Sequence, residues 1–166
     1  MIGLPSVRPA IPSDLPALVA AAEVFATTQR AFAPNDVPAP FDPELASVLF
    51  VKAICGDGGF LSVAPLGQGS VGYALWTLID QPLSILSRPG KILFVTQIAV
   101  PSASRRRGVG SAIVEHLKGI GTELGATSFA LDVSMANTAA VQFFRHSMMK
   151  PASIIMQMDL PRSSRR

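Results

Sequence analysis

Apolar residues recur at intervals of three and four along three stretches of the chain, which is the spacing of a helix with one buried face. The first stretch follows Ser13 or Asp14, either of which can cap a helix, and the second follows Asp42. The third runs from Gly110 to Leu124. The apolar positions are Leu15, Leu18, Val19, Ala22 and Phe25, then Leu45, Val48, Leu49 and Ala53, then Ile113, Leu117, Ile120 and Leu124. A fourth, shorter helix is predicted over Asn137–Ser147.

Between these helices lie runs rich in β-branched and aromatic residues, which predict strands. Phe60–Ala64 and Ser70–Ile79 flank a turn with glycine and proline, and this arrangement predicts an antiparallel hairpin. Lys91–Val100 is largely apolar on both sides, as is typical of a central strand. The other predicted strands are Ser6–Arg8, Thr127–Ser134 and a closing strand, Ile154–Leu160. The order of elements predicts an α/β fold with one mixed, mostly antiparallel sheet and helices on both faces.

The composition indicates a single folded domain. Of the 166 residues, 49% are hydrophobic and 15% are charged, which excludes a disordered chain, and the length is too short for two ordinary domains. We therefore predict one domain over residues 1–160. No apolar run approaches the roughly 20 residues of a membrane span, and the first ten residues do not resemble a secretory signal, so a soluble, cytoplasmic protein is expected. The single Cys55 excludes an internal disulfide; we predict that it is buried and that no metal is bound.

The net charge of +3 comes from local clusters. Arg162, Arg165 and Arg166 account for all of this excess, and Arg105–Arg107 form a second cluster. Residues 161–166 are predicted to be a disordered basic tail. A broad basic surface is not indicated, so no nucleic-acid partner is expected.

The sharpest chemical signal lies between the predicted central strand and the third helix. Arg105-Arg106-Arg107-Gly108-Val109-Gly110 connects them. Glycines let a ligand approach the backbone, and the first amides of a helix have no internal partner. With the positive end of the helix dipole and nearby arginines, such amides form a pyrophosphate site. A P-loop is excluded because no Gly-Lys-Ser/Thr follows, and a Rossmann loop is disfavoured because Ile113 stands at its third glycine.

The pattern Arg105-x-x-Gly108-x-Gly110 resembles the acyl-CoA pyrophosphate loop of the GCN5-related N-acetyltransferase (GNAT) superfamily. The resemblance covers almost the whole chain, and its second signature is a strand followed by Asn-x-x-Ala-x-x-Phe-Tyr. The further matching segments are Val7–Ala10, Ser13–Pro16, Leu131–Val133 and Asn137–Phe144. This resemblance implies that the central strand and the next one splay apart, so that the pantetheine arm of acetyl-CoA enters between them.

The resemblance also implies which residues bind acetyl-CoA. The pantetheine arm and the thioester oxygen would meet the backbone of Ile98, Ala99 and Val100. The pyrophosphate would lie against Arg105, Arg106, Arg107, Gly108, Val109, Gly110 and Ser111. Asn137 would lie beside the arm, although an asparagine is equally suited to cap the helix that follows it.

Two catalytic positions depart from the family pattern. Phe144, expected to contact the cofactor, stands where many members have a tyrosine that protonates the departing sulfur, and either water or Ser147 is the candidate substitute. The only tyrosine, Tyr73, is interpreted as a strand aromatic. The central strand contains Gln97 but no carboxylate, so Asp80 is the candidate base, with a strand-ending turn residue as the alternative. Direct attack by an amine deprotonated by water requires neither residue.

The family binds its acceptor against the first two helices and the hairpin, where this chain has Phe25, Phe32 and Trp76. These aromatics could equally form core. No dense acidic cluster is present for the several ammonium groups of a polyamine or aminoglycoside. We therefore predict an N-acetyltransferase that acts on a monoamine, an amino-acid-like compound or a peptide N-terminus. The alternative is a non-catalytic acyl-CoA sensor or scaffold, and an incomplete sheet edge suggests a homodimer.

Overall fold

The computed structural model describes residues 5–156 and residue 158. Five strands form one sheet, side by side in chain order. They are β1 (Arg8–Pro9), β2 (Phe60–Pro65), β3 (Val71–Gln81), β4 (Gly90–Ala99) and β5 (Ser128–Leu131). Neighbours are antiparallel from β1 to β4, whereas β5 runs parallel to β4. The predicted hairpin is confirmed as β2 and β3, and the predicted central strand is confirmed as β4.

Helices cover both faces of the sheet, as the sequence predicts. Helices α1 (Leu15–Arg30) and α2 (Pro43–Ile54) pack on one face, and α3 (Val109–Glu123) packs on the other. A short helix, α4 (Thr138–His146), follows β5. Because side chains alternate along a strand, each face has its own core. Leu18, Phe50 and Tyr73 are buried under α1 and α2, whereas Trp76, Leu93 and Ile113 are buried under α3.

Two acidic residues predicted to cap helices make different contacts. Asp42 caps α2, because its Oδ1 accepts a hydrogen bond of 2.9 Å from the Leu45 N–H. The side chain of Asp14 does not cap α1; it accepts from the Ile11 N–H at 2.9 Å and from the Arg8 guanidinium at 2.7 and 2.9 Å. A 3-10 turn directly precedes α1, so the carboxylate folds back over that turn. The hydrogen bonds from Arg8 hold the pKa of Asp14 below its usual range.

The face that α2 buries differs from the one predicted by its apolar spacing. The structure buries Ala46, Phe50 and Ala53. The predicted positions Leu45, Val48 and Leu49 are 56%, 53% and 47% exposed. The Phe50 ring meets the Tyr73 ring edge-on, with centroids 5.5 Å apart. Burial of this aromatic ring sets the rotation of the helix, and the two alanines let its backbone approach the sheet.

Cys55, predicted to be buried, is exposed. It follows the last residue of α2 and begins the turn of residues 55–59, in which Gly56 and Gly58 have φ of 77° and 78°. These left-handed residues direct the chain away from the helix at the protein surface.

The predicted closing strand does not form in the part of it that the structure describes. Ile154, Ile155 and Met156 are exposed and belong to no strand. A strand needs a hydrogen-bonding neighbour, and the sheet of the described residues ends at β5 without pairing to this segment. Residues 157 and 159–160 of this prediction, and the basic tail 161–166, lie outside the described residues. The homodimer stays a prediction.

Gly72 on β3 determines how closely α3 approaches the sheet. A Cβ at this position would lie 3.0 Å from Val109 Cγ1 and 3.3 Å from Ile113 Cδ1, both on α3. We predict that Gly72→Ala destabilises the protein by about 1–3 kcal/mol, the usual cost of overpacking. Urea unfolding followed by circular dichroism measures this change.

Gly119→Ala provides the matched control for that measurement. Gly119 lies within α3, and nothing lies within 4 Å of an added Cβ. Alanine should therefore stabilise the helix by about 0.5–1 kcal/mol. Equal stabilities of the two variants would contradict the close packing of α3 on β3.

Candidate functional site

The segment between β4 and α3 turns sharply before the helix begins. After β4 ends at Ala99, residues 102–104 form a 3-10 turn. Arg106 and Gly108 then adopt left-handed backbone conformations, with φ of 60° and 79°. Where left-handed residues alternate with right-handed ones, successive backbone N–H groups point into a common concavity. Such concavities bind anions in many proteins.

The backbone N–H groups from Arg106 to Ser111 donate to no atom of the described residues. The first hydrogen bond of the helix joins the Ala112 N–H to the Gly108 carbonyl at 2.9 Å. The six unpaired donors lie at the positive end of the α3 dipole. We call residues 106–111 the anion cradle. A row of donors of this kind fits a pyrophosphate group.

The three arginines at the cradle are exposed to solvent. Arg105 Nε donates to the Val100 carbonyl at 3.0 Å, which ties the side chain across the base of the loop. The ion pairs of the described residues join Arg8 to Asp14 and Lys118 to Glu115. The charges of Arg105, Arg106 and Arg107 are therefore available to a bound anion.

Strands β4 and β5 separate before β4 ends. Their pairing stops at Val95 and Leu131, whereas β4 continues to Ala99. On that side, Thr96–Ala99 has no neighbouring strand within the described residues, over about 13 Å at roughly 3.3 Å per residue. The predicted splaying of the central strand from its neighbour is confirmed. This gap, which we call the cleft, is closed at Val95 and opens at the end of β4 that leads into the anion cradle.

A β-bulge at Thr96 changes the face to which the β4 side chains point. The pairing of β3 with β4 skips Thr96, and Thr96 Oγ1 donates to the Leu75 carbonyl at 3.1 Å. Before the bulge, Val95 packs under α3; beyond it, Ala99 packs under α1 and α2. One extra residue shifts the alternation by one position. Gln97 consequently lies on the α1/α2 face, near the closed end of the cleft.

Tyr73 is hydrogen-bonded to Gln97 at this point. Tyr73 is fully buried, and its hydroxyl donates to Gln97 Oε1 at 2.9 Å. Burial raises the pKa of the phenol above its ordinary value, so the hydroxyl stays protonated. Interpreting Tyr73 only as a strand aromatic misses this pair. The available signals were a polar residue in a largely apolar strand and a lone tyrosine in the preceding strand, but their contact depends on the strand register.

Helix α4 packs against the anion cradle. A Cβ on Gly110 would lie 3.1 Å from Phe143 Cζ, so the Phe143 ring covers the first turn of α3. Phe144 is buried, with its ring centroid 5.0 Å from that of Phe143. Asn137 caps α4, because its Oδ1 accepts from the Ala140 N–H at 3.1 Å. The capping role of Asn137 is confirmed, and its contact with a cofactor stays a prediction.

The two candidate catalytic side chains have different surroundings. Ser147 Oγ donates to the Phe143 carbonyl at 3.1 Å, so its proton is engaged with the backbone of α4. Asp80 lies opposite Lys91 in the register of β3 and β4, at the end of β4 farthest from the cradle. The strand from Lys91 to Ala99 spans about 26 Å. Asp80 instead contributes to an open pocket of about 570 Å³, which is lined by Asp80, Gln81, Pro82, Pro89, Gly90, Lys91, Gly125 and Thr127.

The three aromatic residues predicted to contact the acceptor do not share one surface. Phe25 packs against the core under α1 and α2, and Phe32 is half-buried just after α1. Trp76 is buried under α3, where it stacks on Phe60 at 4.6 Å and donates to Ser62 Oγ at 3.2 Å. The sheet therefore separates Trp76 from Phe25. Trp76 is a core residue, which is the alternative that the sequence left open for these aromatics.

Residues 5–156 and 158 contain neither a candidate metal cluster nor a candidate membrane span. In this range, no group of three or more His, Cys, Asp and Glu side chains could hold a metal ion. No helix of the same range is both long enough and apolar enough to cross a bilayer. The cradle presents backbone N–H groups and exposed arginines, and Gln97 lies on β4 two residues beyond its last pair with β5.

A mixed sheet with helices on both faces, and an anion cradle between β4 and α3, define an α/β protein with a candidate phosphate site. Comparison with protein families identifies the class more closely. Residues 23–148 match the model of the Acetyltransferase (GNAT) family, and the chain belongs to this family. Family membership supports acetyl transfer as its general activity. Among curated proteins, none matches the sequence.

Solved structures share this fold over nearly the whole chain. A mutant of the BH1408 protein from Bacillus halodurans has a TM-score of 0.83 at 20% identity, covering 94% of this chain and 99% of its own. An acetyltransferase from Trypanosoma brucei has a TM-score of 0.67 at 17% identity, with coverages of 93% and 99%. Glucosamine-6-phosphate N-acetyltransferase from Arabidopsis thaliana has a TM-score of 0.63 at 19% identity, with coverages of 94% and 98%. At these identities the likeness shows the fold alone.

The ionisation of Tyr73 can be followed by phenolate absorbance, because it is the only tyrosine. We predict that the folded protein releases this proton only well above pH 10, the ordinary pKa of tyrosine. As the pH rises, the unfolded chain loses the proton first, so the stability contributed by the buried phenol is present below about pH 10 and lost above it. Absorbance titrations of the native protein and of the protein in urea measure the difference. Coincident curves would show that the phenol is not buried in solution.

Proposed function

We propose that this protein is an acetyl-CoA-dependent N-acetyltransferase. The observation that carries the proposal is the run of unpaired N–H groups in the anion cradle, at the open end of the cleft. In this assignment, Arg105–Ser111 hold the pyrophosphate and the backbone of Ile98–Val100 lines the path of the pantetheine arm. Asn137 and Phe144 flank the arm from α4, and the acetyl group lies at the closed end of the cleft.

The reaction that fits this site is direct attack of a neutral primary amine on the thioester. The amine nitrogen bonds to the carbonyl carbon, the C–S bond breaks, CoA leaves as the thiolate, and the amine proton passes to water. A thiol with a pKa of roughly 8.5 is an adequate leaving group. General acid–base help contributes only about 10²- to 10⁴-fold, whereas positioning of the reactants can contribute more. The proposal therefore assigns no step to Asp80 or Ser147.

The acceptor approaches the thioester from the α1/α2 face, because α3 covers the other face of the sheet. Phe25 contributes apolar surface on this side. Asp36 and Glu44 are exposed, and Asp42 is engaged as the cap of α2. Several ammonium groups would need desolvated carboxylates to compensate them, and these acids do not form such a cluster. We propose a small monoamine, an amino-acid-like compound or a peptide N-terminus as the acceptor.

A second function, acyl-CoA sensing without turnover, is favoured by Phe144. This side chain is buried at the position where many members of the family have a tyrosine that donates a proton. A sensor would bind acetyl-CoA but release no CoA thiol with any amine. The two functions therefore differ in one measurement.

Release of CoA thiol from acetyl-CoA across a panel of amines tests the proposed function. We expect turnover with monoamines, amino-acid-like compounds or peptides, and slower turnover with polyamines and aminoglycosides. Calorimetric titration with CoA and acetyl-CoA is run in parallel. Binding without turnover on any amine would favour the sensor. Absence of binding by the folded protein would overturn both functions.

We predict that Gly108→Ala weakens CoA binding about tenfold. With φ of 79°, this position costs an alanine roughly 1–2 kcal/mol, and relaxing the strain would turn the N–H groups of the cradle away from the phosphates. A loss of about 1.4 kcal/mol in binding corresponds to a tenfold change in Kd. Isothermal titration calorimetry measures this Kd.

Gly125→Ala is the matched control, because Gly125 also has a left-handed φ, of 72°, but lies at the other end of α3. Nothing lies within 4 Å of an added Cβ there. Both variants should lose similar stability, and only Gly108→Ala should lose affinity for CoA. Equal CoA affinities would contradict the role of the cradle.

A further inference from the structure

The closed end of the cleft lies beside Gln97. Because β4 and β5 stop pairing at Val95 and Leu131, a linear acyl-CoA arm that enters from the cradle meets this closed end next to Thr96. The unpaired part of β4 gives the arm about 13 Å of strand to follow. The proposed function therefore places the acyl group at the tip of the arm near Thr96 and Gln97.

The side chain of Gln97 lies on the side from which the acceptor approaches. Gln97 pairs with Leu75, whose side chain packs in the core under α1 and α2. The bulge at Thr96 is what turns Gln97 to this face. Gln97 is half-buried, so part of its side chain is accessible at the level of β4 where the cleft is closed.

Tyr73 determines the orientation of the Gln97 carboxamide. The Tyr73 ring is fully buried and contacts Phe50 edge-on, and its hydroxyl donates to Gln97 Oε1 at 2.9 Å. With the oxygen held in this way, the Nε2 group carries the two donors left for another partner. Among the described residues, the Gln97 side chain makes no other hydrogen bond.

We propose that Gln97 Nε2 donates a hydrogen bond to the thioester oxygen and that Tyr73 is its positioning residue. This inference rests on the proposed function. When the amine nitrogen bonds to the carbonyl carbon, the π electron pair moves to the oxygen, which becomes an oxyanion. The pair then re-forms the carbonyl as the C–S bond breaks and the thiolate leaves. A fixed donor binds the oxyanion more strongly than the neutral carbonyl and so accelerates the step.

Substitution of Gln97 tests this catalytic role. Gln97→Met keeps a side chain of similar length without a donor, and we expect kcat to fall roughly 10²-fold, as for loss of one oxyanion donor in other enzymes. Gln97→Glu should fall further, because its carboxylate repels the oxyanion. Gln81→Met, on β3 at the far end of the sheet, is the matched control and should retain the wild-type kcat.

Substitution of Tyr73 separates positioning from direct contact. Tyr73→Phe keeps the buried ring but releases Gln97 Oε1, so kcat should fall less than in Gln97→Met. In the double variant, Tyr73→Phe should cause no further loss of kcat, because the carboxamide it orients is already absent. If the fold-losses of kcat in the two single variants multiplied in the double variant, the two residues would act independently, and this would contradict the positioning role.

A binding measurement gives a readout that does not depend on turnover. A ketone analogue of acetyl-CoA, in which a methylene group replaces the thioester sulfur, keeps the carbonyl oxygen, whereas CoA has none. Gln97→Met should weaken binding of the ketone analogue several-fold and leave the Kd for CoA unchanged. An equal loss of affinity for both ligands would show that Gln97 only maintains the cleft. Unchanged Kd values together with an unchanged kcat would also overturn the inference. If the folded wild-type protein binds neither ligand, the proposed function itself fails.

Discussion

Beyond Val95, β4 keeps its pairing with β3 but loses its pairing with β5, and after Ala99 the backbone leaves the sheet before it enters α3 at Val109. Backbone groups that lose a protein partner need water, a side chain or a ligand instead. Two such sets arise here: the edge of β4 beyond its last pair with β5, and the N–H groups of the anion cradle. The first set follows from the end of the parallel pairing before β4 itself ends, and the second from the left-handed residues that precede α3 and from the free amides of its first turn. The proposed site for a long, phosphate-bearing ligand therefore depends on the path of the backbone.

The two faces of the sheet contribute differently to this site. Helix α3 approaches β3 closely because Gly72 has no side chain, and this contact fixes the helix whose first turn forms the cradle. On β4, the bulge at Thr96 turns Gln97 to the opposite face, where Tyr73 is buried under α1 and α2. In the proposed function, the sheet thereby separates the groups that bind phosphate from those that face the acceptor, and the cleft connects the two sides.

The groups to which the proposed reaction assigns ligand contacts are hydrogen-bond donors: the N–H groups of the cradle, the arginines and Gln97 Nε2. Asp80 lies at the far end of β4, the Ser147 hydroxyl is bound to the backbone of α4, and Phe144 cannot ionise. Burial keeps the Tyr73 phenol protonated. A site built from donors is suited to stabilising negative charge that develops on an oxygen, and it leaves proton transfer to water. This arrangement suits a thioester, whose thiolate leaving group needs little acid catalysis.

The sequence by itself determined the features that depend on a few consecutive residues. The glycine-led start of α3, the Asp42 cap and the β2–β3 hairpin were all predictable, because turn, cap and helix energies are local. Only the tertiary structure decided which face α2 buries, since the contact of Phe50 with Tyr73 sets its rotation. Strand register likewise decided that Asp80 lies far from the cradle and that Tyr73 meets Gln97. These outcomes depend on packing between residues distant in the chain, which no local pattern records.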